Sequence, residues 1–212
     1  MNQKKFIEEL VHFKSENVFN PYAEKCATYD LSGAAEIRRE NLRSVLRHFE
    51  SIGVDSLWVG RDLGHKGGRR TGLALTDETH LGVASSRWGS NLAQATKGKA
   101  FSERTAANIW NFIERIDEGI FTWNVFPYHP FEQGNLFSNR NHSSKERDLG
   151  LEILDALVCL LKPKKIMGIG NDAFNCSSRI SPNKQVYKVR HPSYGGEKIF
   201  NMQLSALYDV SK

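Results

Sequence analysis

The stretch WVGRDLGHKGGRRTGLALTD, residues 58–77, leaves an apolar segment and enters a run with five glycines and four arginine or lysine residues. Asp62 and His65 stand inside it, three positions apart. Its start belongs to SLWVG (56–60), a short apolar run that reads as a buried strand. A phosphate cradle, a metal site, a catalytic loop and a solvated turn are the competing readings of the glycine-rich run. The dinucleotide fingerprint GxGxxG and the P-loop pattern GxxxxGK with Ser or Thr are both absent. Asp62, His65, His129 and His191 could ligate a metal, but no HxH or HxxxH pair supports one. No metal and no organic cofactor is therefore expected.

Working outward, helical and strand patterns alternate. Residues 34–53 carry Ile37, Leu42, Val45, Leu46 and Phe49 at helical spacing and end at Gly53. Residues 102–116 read as a helix with Ser102 as N-cap, and 121–126 as a strand. Ser143 and Glu146 stand at capping-box spacing before a helix that Pro163 stops. Residues 165–170 and 185–192 read as two more strands, with helices from Asn171 and over 196–210. This alternation predicts an α/β fold: a central four-stranded parallel sheet in a three-layer α/β/α sandwich, as a single domain over 1–212. Ligands of such sheets bind beyond the carboxyl ends of the strands. There the sequence places GRDLGH, Asn124 running into PYHP, GND, and RHPSYGG.

Composition sets the remaining bounds. The 212 residues are 40% hydrophobic and 25% charged, with net charge +5 and a pI near 9.1. A polyanionic partner fits that balance. The most apolar run, LEILDALVCLL, is shorter than a bilayer span and holds two acids, and MNQKKFIEEL lacks the apolar core of a signal peptide. Cys26, Cys159 and Cys176 are scattered, without CxxC. A monomer in a reducing cytoplasm, without membrane contact, is the expectation.

Three motifs, GRDLGH…GGRRTGLAL, WNVFPYHP and RHPSYGG, resemble in order those of the uracil-DNA glycosylase superfamily. The family's first motif is commonly GQDPYHGxGxAxGLAF, and Gly60, Asp62, His65, Gly68, Gly72, Leu73 and Ala74 match it at the same spacing. Asn124 fits the second motif and His191-Pro192-Ser193 the third. NPY and RRENLRSVL, nearer the amino terminus, also look like small bacterial members.

The resemblance implies a monofunctional DNA glycosylase that flips a pyrimidine out of the helix and hydrolyses its N-glycosidic bond, leaving an abasic site. Asp62 would stabilise the sugar cation and position water, and His191 would donate to the leaving base. Asn124 would read the base edge. His65, Gly64, Leu75 and Tyr128 would border the base, and Phe126 offers a second stacking ring. Lys66, Arg69, Arg70, Ser193 and Tyr194 would meet DNA, with Trp88 a further aromatic contact.

Departures from the motif bear on substrate choice. Leu63-Gly64 replaces the usual Pro-Tyr, whose Tyr excludes thymine in the family, and Leu75 replaces the stacking Phe. Gly195 stands where an intercalating Leu is usual. Uracil is one expected substrate, and a 5-modified pyrimidine, such as a hypermodified cytosine in viral DNA, the other. A non-catalytic DNA-binding module and a free-nucleoside hydrolase are the alternatives. A charged, water-positioning Asp62 argues against the first, and the basic loops are superfluous to the second.

Overall fold

The computed structural model describes residues 2–210. Along the chain come α1 (Gln3–His12), β1 (Val18–Phe19), α2 (Ala34–Ile52), β2 (Ser56–Asp62), α3 (Gly68–Thr71), α4 (Leu81–Arg87), α5 (Arg104–Ile113), β3 (Ile120–Phe126), β4 (His129–Pro130), α6 (Ser144–Leu161), β5 (Lys165–Ile169), α7 (Asn171–Ile180), β6 (Gln185–Val189) and α8 (Glu197–Tyr208).

The main sheet has the order β3-β2-β5-β6, with every neighbouring pair parallel. All seven residues of β3 and the first five of β2 are buried without alternation. Continuous burial means that both faces are covered, as right-handed crossovers require. One apolar core therefore takes residues from successive, oppositely pointing positions: Leu57, Trp58 and Val59 on β2, Val125 and Phe126 on β3, Ile166 and Met167 on β5. The sheet reverses its winding at β2, which lies between β3 and β5. Its carboxyl end opens the crevice where such folds take ligands.

The helix starts depart in one place from the expected caps. Ser143 caps α6 in a full capping box with Glu146, as its spacing predicts. Helix α5, by contrast, starts two residues after Ser102. Its N-cap residue is Glu103, and no side chain caps it. Strand β6 stops at Val189, so Arg190 to Pro192 lie beyond the strand, ahead of a turn that begins at Ser193. Helix α1 and the two-residue antiparallel pair β1–β4 are additions that periodicity did not announce.

Burial corrects the expectations for five aromatic and basic residues. Trp88 is 2% exposed and donates its indole N–H to the Ile120 carbonyl at 3.0 Å, so it is a core residue. Tyr128 is fully buried. Its ring stacks on Phe13 at 4.3 Å and its hydroxyl donates to the Leu10 carbonyl at 3.2 Å. Burial pushes that phenol well above its usual range. Phe126 is likewise fully buried, so neither ring is free to stack on a base.

Arg69 and Arg70 are the other correction: they are 1% and 8% exposed and do not face solvent. Arg69 donates to His129 Nδ1 at 2.9 Å and to the Leu136 carbonyl, and lies over the Phe19 ring at 4.1 Å. Arg70 donates to Glu78 at 2.8 Å and Thr96 at 3.0 Å, and covers Tyr29 at 4.1 Å. Their charges are used inside the protein. They anchor the glycine loop instead of contacting phosphate.

Candidate active site

The loop after β2 owes its path to buried donors from α2. Arg38 Nε donates to the Arg70 carbonyl at 3.0 Å, and Asn41 Nδ2 to the Thr71 carbonyl at 3.1 Å. Tyr22 donates its hydroxyl to the Gly72 carbonyl at 3.1 Å. Gly72 itself has φ +75, and a Cβ there would stand 2.6 Å from Arg38 Cβ. Only glycine meets both demands. Asp30 pairs with Arg38, both side chains fully buried. Asn20, the first residue of NPY, donates to the Leu10 and Phe13 carbonyls at 2.8 and 2.9 Å. The early motifs thus hold the loop from behind.

Asp62 ends β2 with its side chain only 7% exposed. One carboxylate oxygen accepts from His142 Nδ1 at 2.5 Å, and the other from Arg61 Nε at 2.7 Å. His142, from the irregular segment before α6, places its Nε2 3.4 Å from Asp172 at the start of α7. The imidazole thus stands between carboxylates from the ends of β2 and β5, hydrogen-bonded to Asp62 and only close to Asp172. Neither His142 nor Asp172 was singled out from sequence. The only hint was the GND triplet after the third main strand.

Asn124 lies beside Gly60 in the β2–β3 register. A Cβ on Gly60 would meet Asn124 Oδ1 at 2.4 Å and Leu75 Cδ2 at 2.9 Å. The glycine lets the amide and the leucine close over the strand end. Asn124 is 1% exposed, and its Oδ1 has no hydrogen-bond partner among the described residues. A bare buried amide oxygen costs about 1–3 kcal/mol, so this one awaits a donor. Leu75 is the one residue in the run 71–78 that is not buried, and it holds a left-handed φ of +56. Such strain in a leucine costs on the order of 1–3 kcal/mol and clusters at functional sites.

His191 accepts the Ser193 backbone N–H on Nδ1 at 3.1 Å, so a neutral ring carries its proton on Nε2. Burial, then the Arg61 and Arg190 guanidiniums, push its pKa down to about 4. The imidazole is neutral at physiological pH and presents a hydrogen-bond donor. Ser193 Oγ lies 3.4 Å from Thr105 Oγ1. Tyr194 comes next, fully exposed, with φ +53.

His65 and His129 differ in kind from His191. His65 is bound through its backbone N–H to Asn139 Oδ1 at 3.0 Å, and burial holds its imidazole below the usual range. His129 is fully buried. Its Nε2 donates to the Ser138 carbonyl at 2.8 Å while its Nδ1 accepts from Arg69, and burial drives its pKa to about 3. It is a structural tie between β4 and the loop. Among the described residues no group of three or more His, Cys, Asp or Glu side chains is placed to hold a metal ion. No helix among them is long and apolar enough to cross a membrane.

The space beside Gly64 is occupied rather than empty. A Cβ at Gly64 would stand 3.0 Å from Glu103 Oε1. Lys66 is exposed, with its amine 5.9 Å from the Phe101 ring. The cleft lined by His48, Trp88, Glu118 and Ile120 lies at the amino-terminal end of β3, away from all these groups.

An acid, an amide and a neutral imidazole thus all lie on the side of the sheet where its strands end. The crystal structure of wild-type Pedobacter heparinus SMUG2 is similar over 96% of this chain and 95% of its own, with a TM-score of 0.66 and 14% identity. That likeness concerns the fold. No curated protein matches the chain. The family model described as "Uracil DNA glycosylase superfamily" matches residues 56–202, which run from the first residue of β2 into α8 and include every residue of the three motifs. The chain belongs to the uracil-DNA glycosylase superfamily.

Proposed function

We propose that this protein is a monofunctional DNA glycosylase that hydrolyses the N-glycosidic bond of a flipped-out pyrimidine, uracil or a 5-substituted one. The observation that carries the reading is the buried, unpartnered Asn124 Oδ1 beside Gly60 and Leu75. It suits the edge of a planar base entering between a glycine and a strained leucine. The Asn124 amide supplies both donor and acceptor to that edge.

Bond cleavage leaves positive charge on the sugar and negative charge on the departing base. Asp62, held at both oxygens, stabilises the first and orients the attacking water. His191, neutral with its proton on Nε2, donates to the base oxygen on which charge builds. A duplex hides the reacting bond, so the nucleotide leaves the stack at a cost of a few kcal/mol. Exposed Lys66 and Tyr194, with Ser193, border the strand. DNA is the partner.

The test is incubation of the purified protein with single- and double-stranded oligonucleotides bearing one uracil or one 5-substituted pyrimidine, and with the free nucleosides. The reading expects free base and an alkali-labile abasic site from DNA. Binding without base release would assign the chain to the DNA-binding alternative, and release from nucleosides alone to the nucleoside hydrolase.

A further inference from the structure

Phe101, Leu136 and Phe137 are 44%, 53% and 38% exposed, and none of them belongs to the three motifs. The two phenylalanines gather around Tyr29, which is half-buried. The Phe137 ring lies 5.8 Å from the Tyr29 ring. The Arg70 guanidinium that covers Tyr29 also reaches Phe101, at 5.2 Å. Phe137, Tyr29 and Phe101 thus form one row, and the Lys66 amine stands at its end, 5.9 Å from Phe101. A contiguous apolar surface rimmed by charge marks an interaction site.

The row is held from beneath. Arg69, itself buried, lies 5.4 Å from the Phe137 ring and donates to the Leu136 carbonyl. The Phe101 backbone N–H donates to Glu78 at 2.9 Å, and that of Lys97 to the Tyr29 carbonyl at 2.7 Å. Asn139 accepts the His65 backbone N–H, which ties the segment carrying Phe137 to the loop that leaves Asp62. Rings fixed in this way lose little freedom when something stacks on them.

Charge identifies the occupant. Glu78 neutralises Arg70. Arg69 has no carboxylate partner among the described residues, and its Nε makes no hydrogen bond to them. A buried cation left unpaired is costly, and its field favours an anion on the surface above it. Exposed Lys66, Lys97 and Lys99 add charge of the same sign. Segments 96–101 and 133–141, which carry the exposed rings, hold no acidic residue, and Glu132 stands just before the second. Flat apolar faces interleaved with cations suit a polyanion whose units are themselves flat, which is an unpaired nucleic-acid strand.

Resting on the reading that DNA is the partner, we infer that Phe101, Tyr29 and Phe137 form a stacking platform for unpaired nucleotides that flank the reacting one, with Lys66, Lys97 and Lys99 at their phosphates. Bases in a duplex have both faces covered and gain nothing from it. Every unpaired base offers a π face, so the platform adds affinity without reading sequence.

The experiment measures equilibrium binding and single-turnover base release on a duplex with one uracil near its end, either blunt or extended by a single-stranded tail on the 5′ or the 3′ side. Melting temperatures verify that each variant folds. For the wild type, a tail on one side should tighten binding at least about fivefold, the effect of one stacked base. Phe101→Ala and Phe137→Ala should each remove most of that gain, and Phe137→Trp should keep it. Lys97→Ala should lower the salt slope for the tailed duplex by about one. Loss of the gain in Lys97→Ala alone, with both alanine variants of the phenylalanines unaffected, would show a phosphate path without stacking and overturn the platform. A wild type indifferent to either tail would also overturn it, and leave the row to a protein partner. Binding is read without chemistry, so tight binding of the tailed duplex with no base release would overturn the glycosylase reading alone.

Discussion

The Asp62 carboxylate has each oxygen engaged, by His142 at 2.5 Å and by Arg61 at 2.7 Å. Its orientation therefore depends on its neighbours as much as on β2. His142→Ala removes the hydrogen bond to Asp62 Oδ1 and lets the carboxylate swing. Misplacement by about 1 Å costs on the order of a hundredfold in rate. The expected outcome is a fall of at least tenfold in single-turnover base release with DNA affinity preserved, and partial rescue by His142→Gln. An equal fall in affinity would place His142 in the DNA interface instead.

Glu103 supplies a second prediction, in stability. Burial, then repulsion from Asp77, raise its folded-state pKa to about 7, above the 4.5 of an ordinary glutamate. The folded state thus holds the extra proton between those values, and stability falls as pH rises through that window. Glu103→Gln cannot lose a proton. Its melting temperature relative to wild type should rise from pH 5 to pH 8, and a constant difference would contradict the raised pKa.

Among the elements, the loop after β2 separates scaffold from surface. Arg70 pairs with Glu78, their side chains 9% and 0% exposed. Removing one partner of a buried pair strands the other and costs about 3–5 kcal/mol. Arg70→Ala should therefore lower stability by that order in denaturant titration. Lys66→Ala should leave stability nearly unchanged and reduce the salt slope of DNA binding by about one. A flat response to Lys66 would remove it from the phosphate path.

The sequence could not separate these cations. Arg70 finds Glu78 and Thr96, and Arg69 finds His129, through contacts that span up to 60 residues. Local composition describes a basic loop in either case. Elements with strong periodicity or caps were legible, as with α2, whose end matches within a residue, and α6, whose capping box is present. The pair β1–β4 has two residues per strand and no period to detect. His142 was hidden in NRNHSS, a polar stretch resembling any loop, since its meaning comes from Asp62 eighty residues earlier. Glu103 escaped notice because Ser102 beside it offered a more familiar cap.

At the scale of the molecule, the site was readable because parallel topology sends every strand end to one side. Asp62 and Asn124 reach the crevice from β2 and β3, while His191 lies two residues beyond the end of β6. Net charge of +5 favours DNA only where it faces outward. Burial of Arg38, Arg69 and Arg70 assigns part of it to the interior. Exposed cations near the site include Arg61, Lys66 and Arg190, which on the proposed reading set the electrostatic approach.

The most direct test of the account is single-turnover base release by Asp62→Asn beside its equilibrium DNA binding. The substitution keeps the shape and removes the charge that, on the proposed reading, faces the developing sugar cation. The account predicts a loss of about a hundredfold or more in release, with the dissociation constant for the same oligonucleotide nearly unchanged. Near wild-type release by a folded Asp62→Asn protein would contradict it.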